Sequence, residues 1–241
     1  MFYYLVAPIL MYNGILVAAA VIPAIFLLVR VYRADRLDKE SPYLLWELIK
    51  GGIFSALIAL VLEKIGSWVL GMAAGDNQAL YDVLLYFVVV ALSEEGAKLY
   101  MLHRRSWNNS EFNCQFDGVV YAVFTSLGFA IWENISYVLT FGFSAAVIRA
   151  LTAIPGHACF GVFMGVFYGI AKKYDMRGEK SSATLFKVLS LVIPVLMHGA
   201  YDYIASVEQL SSGWYFWGFI AVLFVITYIL VGQAAKKDTY I

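Results

Sequence analysis

Charge is what this chain has little of. Of its 241 residues 14% are Asp, Glu, Lys or Arg and 62% are hydrophobic, whereas globular domains carry about 25% charged residues. A soluble domain of this length cannot hide that much apolar surface, so the composition calls for a bilayer as the solvent. The formal net charge is zero, which argues against a nucleic-acid partner and long-range electrostatic steering. Cysteine is scarce: Cys114 lies in a polar loop and Cys159 in an apolar run, with neither a disulfide framework nor metal-ligand spacing. No internal repeat suggests a transporter built from inverted halves. Long polar segments occur only between apolar runs, so residues 1–241 read as a single integral membrane domain.

Seven apolar runs of about 20 residues or more are present, each long enough to cross roughly 30 Å of hydrocarbon. They are Phe2–Val29, Pro42–Ala74, Leu80–Leu102, Gly118–Phe141, Ser144–Ala171, Leu185–Ser206 and Trp214–Gln233. The expected fold is an all-α polytopic bundle. No basic n-region precedes the first run, which reads as a retained span rather than a signal peptide. Thirteen of the 17 Lys and Arg residues sit around positions 30–39, 104–105, 172–187 and 236–237, whereas Ala73–Ala79 and Val207–Gly213 have none. The positive-inside rule then places the N-terminus outside and the C-terminus in the cytoplasm, as an odd helix count requires. Trp214, Tyr215 and Trp217 read as an interfacial aromatic belt at the head of the last span.

Ionisable side chains inside these runs need a reason, because a charge at mid-bilayer costs about 2.5 kcal/mol or more. The densest group is Ser93-Glu94-Glu95-Gly96-Ala97-Lys98. Glu94 and Lys98 share a helical face, while Glu95 is turned from them by roughly 100°. A Glu–Lys pair explains one glutamate but not two. Phe129 and Glu133 follow in the fourth span, where Glu133 has a buried hydrogen bond or a pair with Lys64 as its bland reading. His157 heads a stripe continued by Gly161, Gly165 and Gly169, a close-packing surface that also turns the histidine toward protein. Packing and chemistry are both open for it. His198 and Asp202 lie four apart, so the carboxylate can orient the ring. Arg149 reads as a side chain that snorkels to the interface, and Glu63 and Lys64 read as structural. Glu94, His157 and His198 fall at similar depth, so helices three to six, residues 80–206, are the expected catalytic core.

The order Glu94-Glu95-x-x-Lys98, Phe129-x-x-x-Glu133, His198-x-x-x-Asp202 resembles the PrsW family of bacterial membrane proteases, relatives of the type II CAAX prenyl proteases. The resemblance covers roughly residues 81–203. It implies a multi-pass bacterial cell-membrane peptidase that cuts a single-span membrane substrate such as an anti-sigma factor in the first step of a stress response. By resemblance, Glu94 is the general base on water, Glu95 assists it, His198 donates to the oxyanion and Lys98 balances the carboxylates; Glu133 and Asp202 complete the site, with His157 and Phe129 supporting. The prenyl proteases carry histidine at the Glu133 position and asparagine at the Asp202 position, so their mechanism does not transfer intact.

No cofactor is expected on this reading. The alternative is a divalent metal such as zinc held by Glu94, Glu133, His157 and His198, although His-Glu-x-x-His is absent. CAAX-type processing, a proton-coupled transporter and a non-catalytic receptor or scaffold are the competing functions.

Overall fold

A computed structural model describes residues 2–73, 77–207, 210 and 213–241, with side chains from Met11 onward. Ala74, and parts of the two loops without Lys or Arg, lie outside the described residues. The elements are α1 (Phe2–Ala34), α2 (Pro42–Ala73), α3 (Gln78–Val83), a π-helical segment (Leu84–Ala91), α4 (Leu92–Ser106), α5 (Asp117–Phe141), α6 (Phe143–Leu151), α7 (Ala153–Met176), α8 (Lys180–Ser206) and α9 (Trp214–Lys236). No strand occurs among the described residues. The tail only forms an isolated bridge between Tyr240 and Cys114.

Local chemistry sets the boundaries. The Ser41 Oγ accepts from the Leu44 N–H at 3.2 Å and Pro42 follows, giving α2 a capping hydroxyl and a first residue that needs no donor. Asn77 caps α3 by accepting from the Leu80 N–H at 3.1 Å. Gly142, at φ 79°, ends α5 and begins α6 in a backbone conformation that side chains disfavour.

Among the described residues six helices, counting α6 and α7 together, are long and apolar enough to cross a membrane. The seventh rod, α3 through α4, is apolar along its π-helical part and then carries Glu94, Glu95 and Lys98. The expected fifth span, Ser144–Ala171, is not one continuous helix. It breaks at Thr152 (φ −122°, ψ −68°), between α6 and α7, and Arg149 on α6 is directed to Glu133 and Asn134 of α5.

The central helix is α5, packed against α7, α2 and α1. The small-residue stripe of α7 lies against it. An added Cβ on Gly165 would fall 2.4 Å from the Val119 Cα, and one on Gly169 would fall 2.1 Å from the Gln115 carbonyl oxygen. Only hydrogen permits that backbone approach. This contact carries His157 into the interior, at the level where α8 brings His198 and α4 brings the glutamates.

The basic loops gather at one end of the bundle. There Lys172 donates to the Trp107 carbonyl at 2.8 Å, Lys173 reaches Thr239 at 3.2 Å, and Asn113 donates to Asp38 at 3.1 Å.

Candidate active site

The π-helical segment ends two residues before Ser93. Its wider turn resets the register of the rod, a local device frequent at functional sites. Glu94, Glu95 and Lys98 consequently all point into the bundle and all are buried. The Lys98 ammonium is fully enclosed and donates to Glu95 Oε1 at 2.7 Å and Glu94 Oε2 at 3.2 Å. It lies 3.9 Å from the centre of the Phe129 ring, a cation–π contact that strengthens out of water. One cation thus answers both carboxylates, the second of which a simple Glu94–Lys98 pair left unexplained.

His157 stands against the same ammonium, with its Nδ1 3.2 Å from Lys98 Nζ. An ammonium has only donors to offer, so Nδ1 accepts and the ring proton sits on Nε2. That Nε2–H donates to Glu133 Oε2 at 2.9 Å. Glu133 is held in turn by Arg149 at 2.7 Å, whose Nε donates to the Asn134 side-chain oxygen at 2.8 Å. Arg149 therefore does not snorkel away. The break at Thr152 turns it inward, where it supplies the partner that Lys64 does not.

His198 has carboxylates on both sides. Its Nδ1 is 2.8 Å from Glu95 Oε1, and its Nε2 is 3.3 Å from Asp202 Oδ2 and 3.8 Å from Glu94 Oε2. Phe160 stacks on the ring at 4.8 Å between centroids, and His157 stands perpendicular to it at 5.4 Å. The orientation by Asp202 expected from the spacing is present, but the tighter partner is Glu95.

These side chains border a cavity of about 520 Å³ lined by Glu63, Glu94, Glu133, Arg149, His157, His198, Tyr201 and Asp202, among others. Glu95 and Lys98 stand behind its wall. It extends to Leu60 of α2, Tyr86 of the π-helical segment, Tyr137 near the end of α5 and Ser206 at the end of α8. The cavity thus faces the end opposite the basic loops. All of the expected site residues are brought together: Glu94, Glu133, His157, His198, Asp202 and Phe129 in the lining, Glu95 and Lys98 behind it.

The model of the PrsW family intramembrane metalloproteases matches residues 39–231. The chain belongs to the PrsW family. It is 32% identical over 191 residues to the Protease PrsW of Oceanobacillus iheyensis, spanning 78% of this chain and 82% of that one. It is 31% identical over 195 residues to that of Bacillus subtilis, spanning 79% and 83%, and 28% identical over 216 residues to that of Clostridioides difficile, spanning 88% and 84%. No solved structure matches the chain. PrsW membership makes the chain a multi-pass bacterial membrane protein and an intramembrane peptidase, and it decides against the transporter and scaffold readings.

The family description includes a metal. Four donors converge within 4.8 Å of one another, from Glu94, Glu95, His157 and His198, a set whose chemistry suits zinc. Glu133, a member of the expected alternative set, is not among them; it accepts from the far nitrogen of His157 and is taken up by Arg149. The same donors surround the Lys98 ammonium, which contacts three of the four residues. A divalent ion at zinc bonding distance, about 2.0–2.2 Å, would compete with that ammonium for one space and be repelled by it. As arranged, the set does not fit a metal.

Two PrsW cavity residues, Arg149 and Glu63, differ from the sequence expectation, which makes Arg149 a membrane-interface side chain and Glu63 structural. The available signal was that Glu63 is a charge well inside an apolar run; what local spacing does not reveal is that α2 leans over the same cavity.

Proposed function

We propose that this PrsW protein hydrolyses a peptide bond of a single-span membrane substrate with water activated by Glu94 and without a metal. The observation that carries this reading is the division of labour in the Glu94–Glu95 pair. Glu94 borders the cavity, whereas Glu95 is tied to Lys98 and His198. Glu94 takes a proton from water as its oxygen adds to the scissile carbonyl carbon. His198, doubly protonated among these carboxylates, gives its Nδ1–H to Glu95 and offers the Nε2–H, only loosely engaged at 3.3 and 3.8 Å, to the developing oxyanion. The carbon–nitrogen bond then breaks and the proton held by Glu94 passes to the leaving amine. Glu95 and Asp202 hold His198 between them, while Arg149, Glu133 and His157 position Lys98, which supplies the positive charge that a metal would otherwise provide.

The substrate is the outer juxtamembrane part of an anti-sigma factor, the class the family resemblance implies. Support for the outer side comes from the cavity lying at the bundle end opposite the basic loops, which the positive-inside rule assigns to the cytoplasm. In proteoliposomes with a single-span substrate, new termini are expected on the side away from those loops. Cuts confined to the basic side would overturn the orientation and the substrate class together. Prolonged treatment with a strong zinc chelator should leave the rate unchanged. A loss of activity that zinc restores would replace Glu94-activated water with a metal mechanism.

A further inference from the structure

At the basic end of the bundle, away from the cavity, three carboxylates from separate segments meet. Asp35 follows α1, Glu40 precedes α2 and Asp117 opens α5, with one oxygen of each within 4.8 Å of the others. Relative exposure is 2% for Asp35, 4% for Glu40 and 0% for Asp117. Part of the cluster is satisfied within the protein. The Tyr121 hydroxyl donates to Glu40 Oε2 at 2.7 Å, and the Asn113 and Cys114 N–H groups donate to Asp117 Oδ2 at 3.0 and 2.6 Å.

The remainder is not. Both oxygens of Asp35 and the Oδ1 of Asp117 are enclosed with no hydrogen-bond donor, where an unpaired buried charge is costly. Lys39, whose charge acts on Asp35, directs its ammonium to the backbone carbonyls of Tyr32 and Asp35. Among the described residues no Lys or Arg forms an ion pair with any of the three carboxylates. Asp38, Glu111 and Asp238 add further negative charge nearby.

We propose that Asp35, Glu40 and Asp117 bind one hard divalent cation, Ca2+ or Mg2+, which ties the α1–α2 loop to the head of α5. Oxygen-only donors favour these ions over zinc or copper. Ligands on opposite sides of Ca2+ stand about 4.6–5.2 Å apart, and around Mg2+ about 4.0–4.2 Å, so oxygens within 4.8 Å of one another suit a shared ion. The site shares no residue with the cavity and does not depend on the catalytic reading.

The test uses the full-length protein in detergent, stripped with chelator and then titrated separately with Ca2+ and Mg2+ by calorimetry and by melting. One saturable ion per chain is expected, with a melting temperature about 5 °C higher at on the order of 100 times Kd. Asp35→Asn should weaken binding at least about tenfold, the loss of one charged ligand, whereas Glu94→Gln should leave it intact. Binding that survives Asp35→Asn, or that is lost in Glu94→Gln, overturns the site. Should Asp35→Asn fail to fold, the wild-type titration decides alone. Absence of saturable binding and of a thermal shift with both ions assigns the cluster to shared protons instead.

Discussion

Glu94→Gln is expected to lower the cleavage rate of a co-expressed or reconstituted single-span substrate by about 10²- to 10⁴-fold, the usual contribution of a positioned general base. The amide keeps the shape of the side chain and its place on the cavity wall but cannot take a proton from water. The loss should therefore fall on kcat, with KM little changed, because the proton moves only on the way to the transition state. His198→Gln should also lose most activity, through the oxyanion. Folding is read alongside by melting and by retention in the membrane fraction. Cleavage by a well-folded Glu94→Gln protein within a factor of two or so of wild type would remove Glu94 as the base.

The second large effect is on stability. Lys98 contacts Glu94, Glu95 and His157 together, and it is fully enclosed. Lys98→Met keeps the apolar stem and deletes the ammonium, leaving two buried carboxylates side by side. Removing one partner of a buried ion pair costs about 3–5 kcal/mol, which for a protein of this size lowers the melting temperature by roughly 10 °C. Lys64, adjacent to Glu63 but exposed, is the control: Lys64→Met should change the melting temperature by no more than a degree or two, as an exposed side chain away from any buried network contributes little. Adding Glu95→Gln to Lys98→Met should restore part of the loss, since one uncompensated charge is then gone. A Lys98→Met protein as stable as wild type would mean that the ammonium does not neutralise the pair, and the case against a metal in that space would fall with it.

Much of this is legible in the sequence alone. Hydropathy is a local property, and so is the requirement that a helix satisfy its own backbone in lipid. An all-helical polytopic protein of seven rods therefore follows from composition and run length. Helical periodicity placed Glu94 with Lys98 and His198 with Asp202, because residues four apart share a face whatever surrounds them. The glycines at 161, 165 and 169 announced a tight helix contact for the same reason.

What periodicity could not supply is which face meets which. His157, ambiguous in the sequence, became a central residue once the α5–α7 approach set it between Lys98 and Glu133. Arg149 turned inward only because the backbone breaks at Thr152, a conformation with no strong local signal, and Glu63 joined the cavity through the lean of α2. The stretch from Arg30 to Glu40 reads as basic when its charges are counted, yet Asp35 and Glu40 fold under it to meet Asp117. The sequence by itself determined the solvent, the helices and the pairs within each helix, since all of these rest on neighbours along the chain. Only the tertiary structure decided how carboxylates, imidazoles and cations from different helices share their charge, because that depends on contacts between residues far apart in the chain.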